Sequence, residues 1–275
     1  MNEIVGFFKG QDVDVFLYFN SQVPEPELIS NAVDAVLGSG QNDGIAKAHQ
    51  ELISYANNNN YEYIVISDQD TKYPDTYIYE MLSLFNEYDD IVIGCPGWLN
   101  NNKNDGEPEK QYCLNGSKMV LETPYHGQLL SHGISSGMFV SLKKIDVASF
   151  IDGELFIDWV DNDFCWSLIS EGYSIRYNKN VILNHSLGDA VKKSIFSNFT
   201  TRSPFRDYFI VRNALYIMLY KKYNLKCKRY LMIKLVTHIV FSLVFSKSFK
   251  TFFNRLFLLS KALYHSVIRK MGRLS

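Results

Sequence analysis

The sequence predicts an α/β fold in which a mostly parallel sheet is sandwiched between helices, with a helical region following at the C-terminal end. Three observations lead there. Short apolar runs alternate with segments of helical period through the first two thirds of the chain, the pattern of parallel strands joined by crossover helices. The second of those runs delivers two acids to the edge where such sheets bind ligands. The composition then changes abruptly near residue 200. The chain has 275 residues, 47% of them hydrophobic, enough for one large domain and a smaller appendage. All 29 acidic residues lie at or before Asp207, and 14 of the 28 Lys and Arg lie there too, so this part carries −15. The last 68 residues carry 14 basic residues and no acid, which implies two surfaces with different partners.

Taken in order, Val13–Phe19 is a β-branched and aromatic run closed by Asn20 and Ser21, read as a buried strand ending in a loop. Asn42-Asp43-Gly44 caps a helix whose Ile45, Ala48, Leu52, Tyr55 and Ala56 share one face, and the Asn57–Asn60 run marks its end. Tyr61–Ser67 is a second strand, Pro74 and Asp75 open a helix through Met81, Leu82 and Phe85, and Asp90–Gly94 is a third strand. Residues 99–118 read as a polar loop or hairpin, 134–142 as a strand, 158–171 as a helix closed by Gly172, and 174–184 as paired short strands. Beyond Ser203 everything is helical. The reading divides the chain into a domain over 1–200 and a basic helical region over 201–275. Cys95, Cys113, Cys165 and Cys227 are widely spaced without a CxxC pair, which suggests neither a zinc site nor a disulfide framework and fits a reducing cytoplasm. The N-terminus lacks the pattern of a secretory signal.

Four blocks could carry chemistry. Asp68-Gln69-Asp70-Thr71 ends a strand, and paired carboxylates there suit a hard divalent ion that keeps positions free for phosphate oxygens; a plain strand-ending turn is the alternative. Phe156–Trp166 sets Asp158, Asp161 and Asp163 among aromatics at a helix start. These acids either cap the helix or include a carboxylate tuned by apolar surroundings to act as a base. His185 follows the apolar Val181–Leu183 and is a metal-ligand candidate or a structural histidine. Arg206 and Arg212 either bind phosphate through bidentate contacts or pair with the acidic first domain.

In this order the blocks resemble the rhamnosyltransferase-like branch of the family 2 glycosyltransferases. NDGIAKAHQELISYA is similar to the donor-site helix segment, YEYIVISDQDT to the strand and DxD, and ISSG at 134–137 to the acceptor-side Ser-Gly turn. FIDWVDNDFC, NHSLGD and SPFRDYFIVRN are similar to the later signatures, so the resemblance runs from about residue 12 to 220. It implies a GT-A-like, Rossmann-type fold, a nucleotide-sugar donor such as dTDP-rhamnose or a UDP-sugar, Mn²⁺ or Mg²⁺, and displacement at the anomeric carbon with inversion. On that resemblance Asp70 and His185 hold the metal, Asp68 and Asn20 bind donor, and Asp161 is the base. Arg206 and Arg212 steady the diphosphate, while Asp163, Ser136, Gly137 and Trp159 shape the substrate sites. The family opens with a strand before its first helix, whereas this sequence starts at what resembles that helix, so the first strand is expected to be missing. Phe19 stands where the family usually has an acid, and Ser167 where it commonly has arginine.

The basic tail interleaves Lys and Arg with Phe, Leu, Ile and Val. Its run Leu231–Ser246 has 16 residues and includes Lys234 and His238, short of the roughly 20 needed to span a bilayer. The expectation is a peripheral anchor at the inner face of the plasma membrane that presents a lipid-linked glycan acceptor. A helical subdomain packed on the first domain, or a homo-oligomer contact, is the alternative. Long apolar stretches between the basic residues argue against nucleic acid as a partner. Two other functions compete: a degenerate transferase fold serving as scaffold, and a haloacid dehalogenase-like phosphatase. In the latter the Thr or Val falls two places after the second Asp, whereas Thr71 is next to Asp70.

Overall fold

The computed structural model describes residues 2–22, 26–100, 106–116, 118–185, 192–194, 197–199 and 202–274. In chain order the elements are α1 (Asn2–Lys9), β1 (Phe16–Tyr18), α2 (Pro26–Ser30), β2 (Ala35–Leu37), α3 (Ile45–Asn58), β3 (Tyr63–Ile66), α4 (Tyr77–Glu87) and β4 (Ile91–Asn100). They continue with β5 (Gln111–Asn115), β6 (Lys118–Glu122), β7 (Met138–Ser141), α5 (Val160–Ser170), β8 (Ser174–His185), β9 (Lys192–Ser194) and β10 (Ser197–Phe199). Helices α6 (Pro204–Tyr220), α7 (Leu225–Val244) and α8 (Phe249–Val267) complete the described chain.

The central sheet has the order β3-β7-β4-β8, with β4 and β8 parallel and β7 antiparallel to both β3 and β4. β1 and β2 form a separate parallel pair, and β5 and β6 an antiparallel hairpin. Residues 174–184 were expected to pair with themselves. They form instead one long strand that runs beside β4 from Ile91 to Asn100. Its bulge between Pro96 and Gly97 absorbs the Asn178–Asn180 turn, where Asn180 N donates to Asn178 Oδ1 at 3.0 Å.

The sheet is covered on both faces because its strands carry apolar side chains on both. One core joins Ile66, Val92, Ile93, Met138 and Val140 to Ile53 of α3 and to Phe164 and Leu168 of α5. The other packs Phe139 and Leu183 against Tyr77 and Met81 of α4 and Phe8 of α1. α3 buries Ala46, Ala48, Ile53 and Ala56, a face turned from the expected one, with Tyr55 meeting Phe16 edge-on at 5.1 Å. The chain enters through α1, and β1 pairs only with β2 among the described strands. The starts of β1 and β3 are tied by Tyr61, whose hydroxyl donates to Asp14 at 2.6 Å, and beyond this tie the two strands flank a cavity of about 1010 Å³.

No joint separates the C-terminal helices from the body. α6 shares a core with Ala46, Leu155, Phe156, Val160 and Trp166, and α7 and α8 pack on α6. Asp207, the last acid of the chain, is buried between them, 3.0 Å from Arg255 Nε and 2.9 Å from His238 Nε2. Among the described residues no helix is long and apolar enough to cross a membrane.

Candidate active site

The turn before β7 is where the separated motifs meet. Ser136 receives the backbone N–H of Asp68 at 3.4 Å and shares a very short hydroxyl contact with Thr71, while Gly137 N donates to Ile66 O at 2.8 Å. On the other side of this turn, Ser135 N donates to Asp161 Oδ2 at 3.0 Å. Four residues, Ile134 to Gly137, therefore join the Asp68–Asp70 loop to the first turn of α5. Gly137 has φ +81°, and a Cβ there would come within 2.3 Å of Leu183 Cδ1, so both backbone and space require glycine. Tyr77 closes the turn from below by donating its hydroxyl to Gly137 O at 3.0 Å.

Asp161 is partly buried, and removal from water pushes its carboxyl up to about 6, against the pull of the Ser135 hydrogen bonds. The charges of Asp68 and Asp158 add to the rise. A carboxylate with that value is a usable base near neutral pH. Asp68 and Asp70 line the cavity between β1 and β3 together with Asn20. Asp70 is exposed. Asn20 also accepts the Asp43 N–H at 2.7 Å and so holds the entry to α3, a structural duty in addition to its place at the cavity.

The acidic loop before α5 is held under strain. Phe156, Asp158 and Trp159 all have positive φ, at 68°, 65° and 66°, a region that costs a residue with a side chain. α6 supplies the restraint. Asn213 Nδ2 reaches Leu155 O and Ile157 O at 2.8 Å and Asp158 O at 3.0 Å, and Trp159 Nε1 donates to Ile210 O at 2.9 Å. The Asp158 carboxylate lies between Arg202, at 3.0 Å, and the Nε and Nη2 of Arg206, at 3.2 and 3.1 Å. Gly44 makes room on the opposite side, since a Cβ there would fall 2.5 Å from Phe156 O.

Several expected ligands have other occupations. Arg212 is fully buried and donates to Gly272 O at 2.6 Å, Leu155 O at 3.0 Å and Asn213 Oδ1 at 2.9 Å, so this guanidinium faces carbonyls and has no opening toward a diphosphate. Arg206 is committed to Asp158, the ion-pairing alternative for that residue. Asp163 points away from Asp161, accepts the Tyr223 hydroxyl at 2.7 Å and lies 3.5 Å from Lys221; burial pushes its pKa up to about 6. Ser167 donates to Phe150 O and Phe164 O, at 2.9 and 2.7 Å. The backbone of His185 ends β8, but its side chain and residues 186–189 of the NHSLGD motif lie outside the described residues. Among the described residues no three His, Cys, Asp or Glu side chains gather into a metal-binding set.

One histidine escaped the sequence reading. His132 stacks on Tyr112 at 5.4 Å and meets Trp166 and Tyr230 at 5.9 and 5.3 Å. Burial, with Lys234 nearby, lowers its pKa to about 3, so it is neutral. Trp159 joins the group edge-on to Tyr230 at 6.2 Å. Nothing in the periodicity around His132 marks it, because its partners come from β5, α5 and α7.

Comparison with known proteins bears on this arrangement. Residues 35–146 match the model of glycosyl transferase family 2. Over 184 residues the chain is 29% identical to the dTDP-rhamnosyl transferase RfbF of Shigella flexneri, covering 65% of this chain and 61% of that protein's length. Among solved structures, S. aureus TarS 1-349 aligns with a TM-score of 0.57 at 12% identity, over 94% of this chain and 72% of that one. GalNAc-T7 with UDP, GalNAc and Mn²⁺ aligns with a TM-score of 0.51 at 12% identity, over 82% of this chain and 51% of that one. Both likenesses are of fold, and the fold is GT-A-like.

Proposed function

We propose that this chain is a family 2 glycosyltransferase of the rhamnosyltransferase-like kind, a reading supported by the match of residues 35–146 to that family's model and by the likeness to a dTDP-rhamnosyl transferase, and that it moves a hexose, L-rhamnose as first choice, from a nucleotide-sugar donor to a lipid-linked glycan in bacterial surface-polysaccharide synthesis. The observation that carries the reading is the pairing of Asp161 with the Asp68–Asp70 loop across the Ser135–Gly137 turn. Asp161 takes the proton of the acceptor hydroxyl, and that oxygen attacks the anomeric carbon as the bond to the diphosphate breaks, inverting the centre. The raised Asp161 pKa supports this role, because such a carboxylate is ionised at neutral pH yet basic enough to accept a proton.

The carboxylates of Asp68 and Asp70 offer hard oxygen ligands suited to Mn²⁺ or Mg²⁺, with His185 as a further candidate from the end of β8. A bound divalent ion supplies charge stabilisation to the departing diphosphate. Asn20, at the mouth of the same cavity, is placed to meet the donor, and Ser136, Gly137 and Trp159 the acceptor side. Arg206 acts through Asp158, by keeping the loop that carries Asp161 in its strained form. Residues 1–200 are the catalytic domain on this reading and 201–275 its membrane-side or oligomerisation region, with the protein peripheral at the inner face of the plasma membrane.

The test is binding and hydrolysis of a panel of nucleotide sugars with Mn²⁺ or Mg²⁺, on wild type, Asp70→Ala and Asp161→Asn. One donor turned over, lost in Asp70→Ala and slowed in Asp161→Asn with donor binding retained, is the expected result. No metal-dependent interaction with any donor would overturn the reading in favour of the non-catalytic scaffold.

A further inference from the structure

Helices α7 and α8 have two faces each, and only one is used by the fold. On α7 the inward positions are Cys227, Leu231, Leu235 and Ser242; on α8 they are Arg255, Leu259, Ala262, His265 and Ser266. Arg255 and His238 are fixed there by Asp207. The outward faces are nonetheless apolar. Ile233, Val236, Val240 and Val244 follow one another at three- and four-residue steps along α7, with exposures from 50% to 69%. Phe249, Phe253 and Phe257 do the same along α8, at 86%, 63% and 65%, and Tyr264 and Val267 extend the row. Rows of this length are unusual on a face that meets only water.

The charge beside these rows has one sign. Lys247 stands in the turn between the helices, Lys250 opens α8, and Arg269, Lys270 and Arg273 follow its end, all without an acid after Asp207. The rest of the chain carries −15. The molecule is therefore electrically polar, and an anionic surface attracts the helical end while repelling the body. A symmetric contact between two copies through this face would instead set like charges against each other.

We propose that the outer faces of α7 and α8 form an interfacial seat for an anionic lipid bilayer, with the Phe249, Phe253 and Phe257 row inserted at the headgroup boundary and Lys247 and Lys250 on the lipid phosphates. Neither helix spans; each lies along the surface, which is what an apolar row on one side of a helix permits. The proposal builds on the membrane-side placement just given, and it names the surface responsible and the lipid charge required.

Vesicle co-sedimentation without donor tests it, using the full chain with phosphatidylcholine vesicles and with vesicles of equal parts phosphatidylcholine and phosphatidylglycerol. Association with the anionic vesicles only is expected. The variant Lys247→Glu/Lys250→Glu should bind about thirtyfold more weakly or worse, since each basic residue at the surface is worth roughly fivefold. Phe249→Ser/Phe253→Ser/Phe257→Ser should lose association while keeping the wild-type urea midpoint; were the triple variant unstable, Phe249→Ser alone, at the most exposed position, carries the test. Equal binding to neutral vesicles, no binding to anionic ones, or undiminished binding by the phenylalanine variants would overturn the proposal. So would a dimer in sedimentation that the triple phenylalanine change converts to monomer, which would assign the face to a second copy. Because no sugar is turned over in these measurements, failure here leaves the transferase reading standing, and failure of donor turnover leaves this one.

Discussion

Arg206 holds Asp158 through two nitrogens, Nε at 3.2 Å from both carboxylate oxygens and Nη2 at 3.1 Å from one, and thereby ties the first turn of α6 to the loop that leads into α5. Asp158 is nearly buried, so a carboxylate left with Arg202 alone pays much of its desolvation unaided. Arg206→Ala should therefore lower the unfolding free energy by about 1–3 kcal/mol, measured by urea titration. On the proposed function it should also reduce turnover more than donor affinity, since it disturbs the loop that carries Asp161 and leaves the cavity between β1 and β3 intact. A change confined to donor affinity would reassign Arg206 to the diphosphate.

Asp161 predicts a pH profile. Its folded-state pKa of about 6 lies above the ordinary value of 3.8, so the folded protein holds this proton more tightly than the unfolded chain. In the proposed role the ionised form is the base, so the rate should rise with pH through about 6 and level off above it. Stability should move the other way, falling as pH rises from about 4 to about 6. Asp161→Asn should consequently remove the pH step and slow turnover while raising stability at pH 7 by up to about 3 kcal/mol, read from paired unfolding curves.

Arg212→Ala is expected to be among the most destabilising single changes, at about 3–5 kcal/mol. It strips partners from the carbonyls of Leu155 and Gly272 and opens a void beside Phe209, whose ring the guanidinium covers at 4.8 Å. Thermal unfolding measures the loss. Protein that remains folded should bind donor normally, the outcome opposite to that for a phosphate-binding arginine.

Gly137→Ala should cost about 2 kcal/mol or more, because a Cβ meets Leu183 at 2.3 Å on a backbone already at φ +81°. The displaced turn should shift both Asp68 and Asp161, so metal affinity and turnover fall together. Isothermal titration with Mn²⁺ and a rate assay on the same preparation check that joint loss.

These cases show where the sequence was readable. Tyr63–Ile66 and its Asp68–Asp70 end could be found because a strand's apolar run and the polar residues closing it are adjacent. The antiparallel entry of β7 between β3 and β4 could not, since apolar period fixes neither partner nor direction. Residues 174–184 read as two strands because the polar Asn178–Asn180 stretch resembles a hairpin turn; only the register with β4 reveals a bulge inside one strand. In the sequence Arg212 reads as a phosphate ligand or an ion-pair partner, because its burial depends on Gly272, 60 residues away. His132 was overlooked for the same reason, its surroundings being assembled from distant segments.

The link between Gly272 and the Glu154–Leu155 segment has a bearing on biosynthesis. Gly272 N donates to Glu154 O at 2.8 Å, and Gly272 O receives Arg212, the residue that also secures Leu155 O. A nascent chain emerging from the ribosome can assemble the central sheet early, but the Asp158–Asp161 loop acquires this brace only once Gly272 has emerged. A chain interrupted before Gly272 would thus carry Asp158 and Asp161 and still lack the Gly272 contacts to Glu154 and Arg212 that brace the segment leading into them.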